Sequence, residues 1–169
     1  EPYFTAGAEG RATNLCPSWA PDGTGLVIMS DCNGQPLGTT DLYVITQKEV
    51  STELTHLGGG DDAVAFPFWT SGGEILFCSN ENRAVDTVNP YYIPGIAFYI
   101  PELGETVGQP VYAYGPFDIY RMTPGEGTRT AVITSVAHSA LWPTADPTAT
   151  RVAFEQKGDI YVASLKGLN

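Results

Sequence analysis

The sequence predicts an all-β chain made of three copies of one antiparallel strand unit. Three observations carry this expectation. A tryptophan beside a short apolar strand recurs three times, at Trp19, Trp69 and Trp142. An Asp-Leu/Ile-Tyr strand follows each copy, starting at Asp41, Asp118 and Asp159. No stretch sustains the apolar periodicity of an amphipathic helix.

The first copy opens on Cys16-Pro17-Ser18-Trp19 and turns at Pro21-Asp22-Gly23, where Asp-Gly is a strong hairpin signal. It continues through the apolar run 26–30, the Asp41 strand and a Thr-bearing strand at 51–55. The second opens on Phe66-Pro67-Phe68-Trp69, turns at Ser71-Gly72-Gly73 and runs through 75–79, Asp118 onward and 130–134. The third places Trp142 in register with the other two tryptophans and turns at Asp146-Pro147, where a longer turn is expected. Its strands are 151–154 and 159–162, and no fourth strand of its own follows. The second strand of each copy is almost continuously apolar, as expected for a strand buried on both faces.

Four-stranded antiparallel units repeated around an axis are β-propeller blades. The run Pro17-Ser18-Trp19-Ala20-Pro21-Asp22-Gly23, with Leu26-Val27-Ile28 and Asp41-Leu42-Tyr43-Val44, resembles the repeat of TolB-like β-propellers. That resemblance implies blades of this strand pattern, often six to a ring, serving mainly as protein-interaction platforms. It is most specific in the first copy, since Pro-Asp-Gly becomes Ser71-Gly72-Gly73 and then Asp146-Pro147. Residues 1–169 therefore read as one β-propeller-type domain with three blades. Residues 81–116 form a Tyr/Pro-rich insertion within the second blade.

Three blades are too few for a closed ring, which takes about four to eight. Residues 2–7 form a Thr-bearing apolar stretch where a preceding blade's outer strand would sit. Either the chain is a piece of a larger propeller or strands are exchanged between chains, with Pro2, Tyr3, Phe4 and Thr5 of one chain against Asp159, Ile160, Tyr161 and Val162 of another. Two chains would close a six-bladed ring, and a rotation that does not close would give a filament. The partner expected first is thus another copy of the chain, in a homo-oligomer or polymer.

Charge and composition bound the alternatives. Eight basic residues against 19 acidic ones give a formal charge of −11, which disfavours nucleic acid and anionic lipid surfaces. No apolar run approaches the length of a membrane span. Sparse lysine with abundant Thr, Ser, Asn, Gly and Tyr resembles secreted, extracellular or periplasmic β proteins, and a start at Glu1 suits a processed protein or a truncated one. Cys16 and Cys32 flank the first hairpin and are either a disulfide or two unpaired small apolar residues. Cys78 reads as an inert core thiol.

The insertion supplies the alternative function. Tyr91, Tyr92, Tyr99 and Tyr112 give rigid amphipathic contact area suited to a protein, peptide or glycan partner, with an added hairpin expected between 96–100 and 111–114. Catalytic signals are weak. His56 and His138 lack further ligands at metal spacing, and no nucleophile elbow, phosphate loop or dinucleotide fingerprint occurs. Asp41, Asp118 and Asp159 read as turn-fixing residues, and Asp61-Asp62 as a solvated acidic turn. The sequence therefore points to a non-enzymatic extracytoplasmic assembly protein without cofactor. A hydrolase or lyase would need an acidic or histidine metal site that the spacing does not reveal.

Overall fold

The computed structural model describes residues 14–30, 40–48, 51–56, 64–81, 91–93, 98–100, 105–107, 111–113, 116–134 and 138–166. These form antiparallel sheets without a helix among them. Sheet I is a meander of β1 (Asn14–Trp19), β2 (Gly25–Ser30), β3 (Asp41–Lys48) and β4 (Ser51–His56). Sheet II begins with β5 (Val64–Trp69) and β6 (Ile75–Ser79). The insertion follows as β7 (Tyr91–Ile93), β8 (Phe98–Ile100), β9 (Glu105–Val107) and β10 (Val111–Ala113). Sheet II then resumes with β11 (Asp118–Met122) and β12 (Arg129–Ile133), giving the order β12-β11-β6-β5. Sheet III has three strands: β13 (Leu141–Ala145), β14 (Arg151–Gln156) and β15 (Asp159–Ser164).

The insertion pairs differently from the expectation. Residues 96–100 and 111–114 do not form a mutual hairpin: β10 pairs with β7, and β8 with β9. The outer pair encloses the inner one, so the added structure is nested and not a single hairpin.

The repeat is written in backbone more than in side chains. Each first strand carries a bulge between residues 15 and 18, 65 and 68, or 141 and 144. At each bulge a non-glycine residue adopts a left-handed conformation immediately before a proline: Cys16 (φ 53), Phe66 (φ 54) and Trp142 (φ 54). Trp142 therefore occupies the position of Cys16 and Phe66, and not that of Trp19 and Trp69. The residue matching those two tryptophans is Ala145, which pairs with Val152 as Trp19 pairs with Leu26 and Trp69 with Ile75. The third turn is not lengthened either. Ala20 N–H donates to the Gly25 carbonyl and Asp146 N–H to that of Arg151, whereas Thr70 N–H reaches Glu74 one residue sooner.

Sheet II stands between the other two, with β5 packed on β1, β2 and β3 and also on β13. Its apolar residues are buried on both faces, Ile75, Leu76, Phe77, Cys78 and Ile119 being fully inaccessible. Each large side chain buried this way contributes about 1.5–3 kcal/mol. Sheet I sends Val27, Met29, Leu42 and Val44 into this core, while Leu26, Ile28, Tyr43 and Ile45 form a second buried cluster on its other face. Its strands approach closely: a Cβ on Gly25 would stand 2.6 Å from the Ile45 carbonyl oxygen. Sheet III contributes Val152 and Phe154 to the core from one face only.

The step from one sheet to the next is itself repeated. Val64 N–H donates to the Thr40 carbonyl at 3.0 Å, and Ala140 N–H to that of Phe117 at 2.8 Å. Thr40 and Phe117 each precede the aspartate that opens a third strand, and Val64 and Ala140 each lie two residues before a bulge. Asp41 and Asp118 are buried at this junction.

Candidate functional site

Two surfaces stand out once the sheets are assembled. The first is a cleft of about 450 Å³ where the three bulges converge, Cys16-Pro17, Phe66-Pro67 and Trp142-Pro143, with Ser18, Trp19 and Phe68 beside them. A left-handed residue before proline is disfavoured twice over, so each bulge holds strain that its surroundings must fix. Cross-sheet contacts supply that fixing. The Phe66 and Trp142 rings lie 3.9 Å apart, and Ser18 Oγ accepts a hydrogen bond from Trp69 N–H at 2.9 Å. Ser71 Oγ donates to the Pro147 carbonyl at 2.8 Å, tying the turns of sheets II and III together.

The cleft is uncharged. Among the described residues its one ionisable group is the Cys16 thiol, which burial pushes up to about 11. At neutral pH it offers aromatic and proline surface for stacking, and its thiol stays protonated. Cys78 is deeper, its thiol also raised by burial, and its Sγ donates to the Ala140 carbonyl at 3.4 Å. No cluster of three or more His, Cys, Asp or Glu side chains that could hold a metal ion occurs among the described residues.

The second surface is the outer side of sheet III. The cross-strand register matches Leu42 (paired with Met29), Ile119 (paired with Cys78) and Ile160 (paired with Glu155) as one repeat position. Leu42 is 1% exposed and Ile119 fully buried, yet Ile160 is 72% exposed. Two residues on, Val44 is buried and Val162 is 63% exposed. Ile160 and Val162 share a face with Glu155 and Ala153, opposite the face that Val152 and Phe154 turn into the core. Tyr161, on the core side, stacks on Phe154 with ring centroids 5.8 Å apart. A recess of about 260 Å³ lies between Thr144, Asp146, Arg151, Ala153 and Val162.

The turn beside that recess is held by a carboxylate. Asp146 accepts from the backbone N–H groups of Arg151 (2.8 Å) and Thr150 (2.7 Å) and from the Thr148 hydroxyl (2.8 Å). These bonds, the Arg151 N–H first, hold its pKa well below the usual carboxylate range. Asp22 plays a weaker version in the first turn, accepting from Thr24 N–H at 3.0 Å.

The residues singled out in the sequence fall as follows. Asp159, Ile160, Tyr161 and Val162 are exposed on β15, which has no partner on its outer edge among the described residues. Pro2, Tyr3, Phe4, Thr5 and Cys32 lie outside the described residues, as does Asp61-Asp62. Cys16 is a free thiol. Tyr92 and Tyr112 are register partners between β7 and β10, Tyr91 pairs with Ala113, and Tyr99 sits on β8 opposite Thr106. His56 ends β4. The sequence reading missed the cleft, although Pro17, Pro67 and Pro143, each inside a first strand, were the available signal.

The chain is thus an all-β protein of antiparallel sheets. It is similar to the crystal structure of TolB from Acinetobacter baumannii, with a TM-score of 0.38 and 18% identity over 93% of this chain. This chain spans 42% of that one, less than half its length. No family model and no curated protein matches the sequence. No described helix is long and apolar enough to cross a membrane.

Proposed function

We propose that sheets I to III are propeller-type blades, and that the chain is a non-enzymatic assembly protein joining head to tail through its terminal strands. The observation that carries this is Ile160, 72% exposed at a position where Leu42 and Ile119 are covered by the neighbouring sheet. Isolated exposed apolar residues are ordinary, but Ile160 and Val162 side by side on the open face of an edge strand, with Tyr161 half-exposed on the other, form an association surface. The repeat gives the surface a direction. Because sheet III offers a face and an edge that sheets I and II use internally, the contact is heterologous and yields a closed ring or a filament. Composition suits an extracellular or periplasmic setting.

The test is the mass of the full chain in solution across a wide dilution series. A mass that rises with concentration towards a fixed multiple supports a ring, and one that rises without limit supports a filament. A constant mass equal to one chain refutes the proposal.

A second reading uses the insertion, where Tyr91 and Tyr92 on β7 are brought against β10, which carries Tyr112. In it the chain is a TolB-like binding module for a protein, peptide or glycan. Replacing Tyr91, Tyr92, Tyr99 and Tyr112 together then abolishes partner capture and leaves the solution mass unchanged.

A further inference from the structure

We infer that the cleft where the three bulges converge binds a small organic cation with a quaternary ammonium head, of the choline kind. The cleft shares no residue with the open face of sheet III, and its ligand is independent of whether the chain associates.

The walls supply the attraction. Trp19, Phe66, Phe68 and Trp142 line the cleft, with three prolines between them. Trp19 and Trp142 keep 59% and 49% of their surface in water, while Phe66 is buried with its ring 3.9 Å from that of Trp142. An aromatic face is the negative side of a quadrupole, so it attracts a cation without a hydrogen bond. Among the described residues no Lys, Arg or His lines the cleft to repel one. The formal charge of −11 draws cations towards the chain as a whole.

The polar inventory then selects among ligands. Apart from two indole N–H groups, which only donate, the lining side chains offer the Ser18 hydroxyl and the Cys16 thiol. Ser18 Oγ is already engaged with Trp69 N–H at 2.9 Å. A metal ion needs several oxygen ligands, and no carboxylate lines the cleft. A sugar brings hydroxyls that are costly to bury unpaired. A primary ammonium is strongly hydrated and carries three donors that need acceptors. An anion meets no opposite charge. A quaternary ammonium has no N–H and spreads its charge over methyl groups, which pack on rings and prolines and ask for no acceptor.

Size and rigidity agree. At about 450 Å³ the cleft falls within the ~300–1,000 Å³ of small-molecule sites. The Phe66–Trp142 contact and the Ser18–Trp69 hydrogen bond brace it across the sheets, so little ordering remains to oppose binding.

The experiment titrates the full chain with choline chloride by calorimetry at constant ionic strength. A parallel titration uses the neutral alcohol in which a quaternary carbon replaces the nitrogen of choline. Saturable choline binding is expected, with the alcohol, equal in shape, bound about tenfold more weakly. Trp19→Leu, on the exposed rim, should weaken choline about tenfold, whereas Trp19→Phe keeps a ring and should stay within about threefold of the native chain. Absence of choline binding, equal binding of choline and the alcohol, or undiminished choline binding by Trp19→Leu overturns the inference. Should Trp19→Leu fail to fold, the ratio of choline to alcohol affinity on the native chain decides alone.

Discussion

Truncating one side chain at the same repeat position in different sheets should have opposite consequences. Leu42 and Ile160 occupy matching register positions, one 1% and the other 72% exposed. Leu42→Ala empties a packed interior and should cost about 2–5 kcal/mol of folding stability. Ile160→Ala removes three carbons that the isolated chain leaves largely in water, so stability should change by less than about 0.5 kcal/mol. Its cost should appear in association instead. At about 0.8 kcal/mol per buried carbon, scaled by the 72% still exposed, Ile160 has about 1.7 kcal/mol to gain from a partner. Val162, with two carbons to lose and 63% exposure, has about 1.0 kcal/mol. The double variant Ile160→Ala, Val162→Ala should therefore weaken association by about 2.7 kcal/mol, roughly 100-fold in Kd. Sedimentation over a dilution series reads the association, and urea unfolding of the dilute chain reads the stability. Undiminished association of the double variant, or a stability loss as large as that of Leu42→Ala, refutes the reasoning.

Three further outcomes follow from the packing and the turns. Gly25→Ala should destabilise by about 1–3 kcal/mol, because the new Cβ meets the Ile45 carbonyl oxygen at 2.6 Å; chemical denaturation measures it. At pH 7.5 Cys16 should be alkylated about 20-fold more slowly than a free cysteine, since burial raises it to about 11 and the thiolate's greater nucleophilicity recovers only part of the loss. Peptide mapping separates it from Cys32 and Cys78. Hydrogen bonds, the first from Arg151 N–H, hold the pKa of Asp146 below its unfolded value, so its contribution is present above pH ~4 and is lost as pH falls through the folded value. Asp146→Asn should flatten the decline in melting temperature below pH ~4, and an unchanged slope counts against the turn's role.

Legibility in the sequence depended on whether a side chain or a backbone conformation carried the repeat. β2 and β6 were plain, because Leu26-Val27-Ile28-Met29 and Ile75-Leu76-Phe77-Cys78 are apolar on both faces. β15 was plain, and β11 was recovered across a long interruption, because Asp118 and Asp159 open strands whose next residues are Ile and Tyr. Trp142 was misplaced by three residues. The invariant there is a left-handed residue before proline, and Cys, Phe and Trp serve equally in that role, so matching tryptophan to tryptophan followed the wrong feature. The insertion's pairing was missed because three-residue strands leave too little pattern to choose between partners. The open face of sheet III could not be read at all, since Ile160 and Val162 are as apolar as their buried counterparts and only packing tells them apart.

The prolines at the bulges have a consequence beyond the cleft they line. β1, β5 and β13 each lie at one margin of their sheet, and each carries a proline that cannot donate to a ladder beside a kink that bends the strand away. An incoming strand finds no template there. β15 has neither proline nor bulge. Sheets I, II and III therefore each have one margin that a proline and a kink close to strand addition, whereas β15, the other margin of sheet III among the described residues, carries neither device.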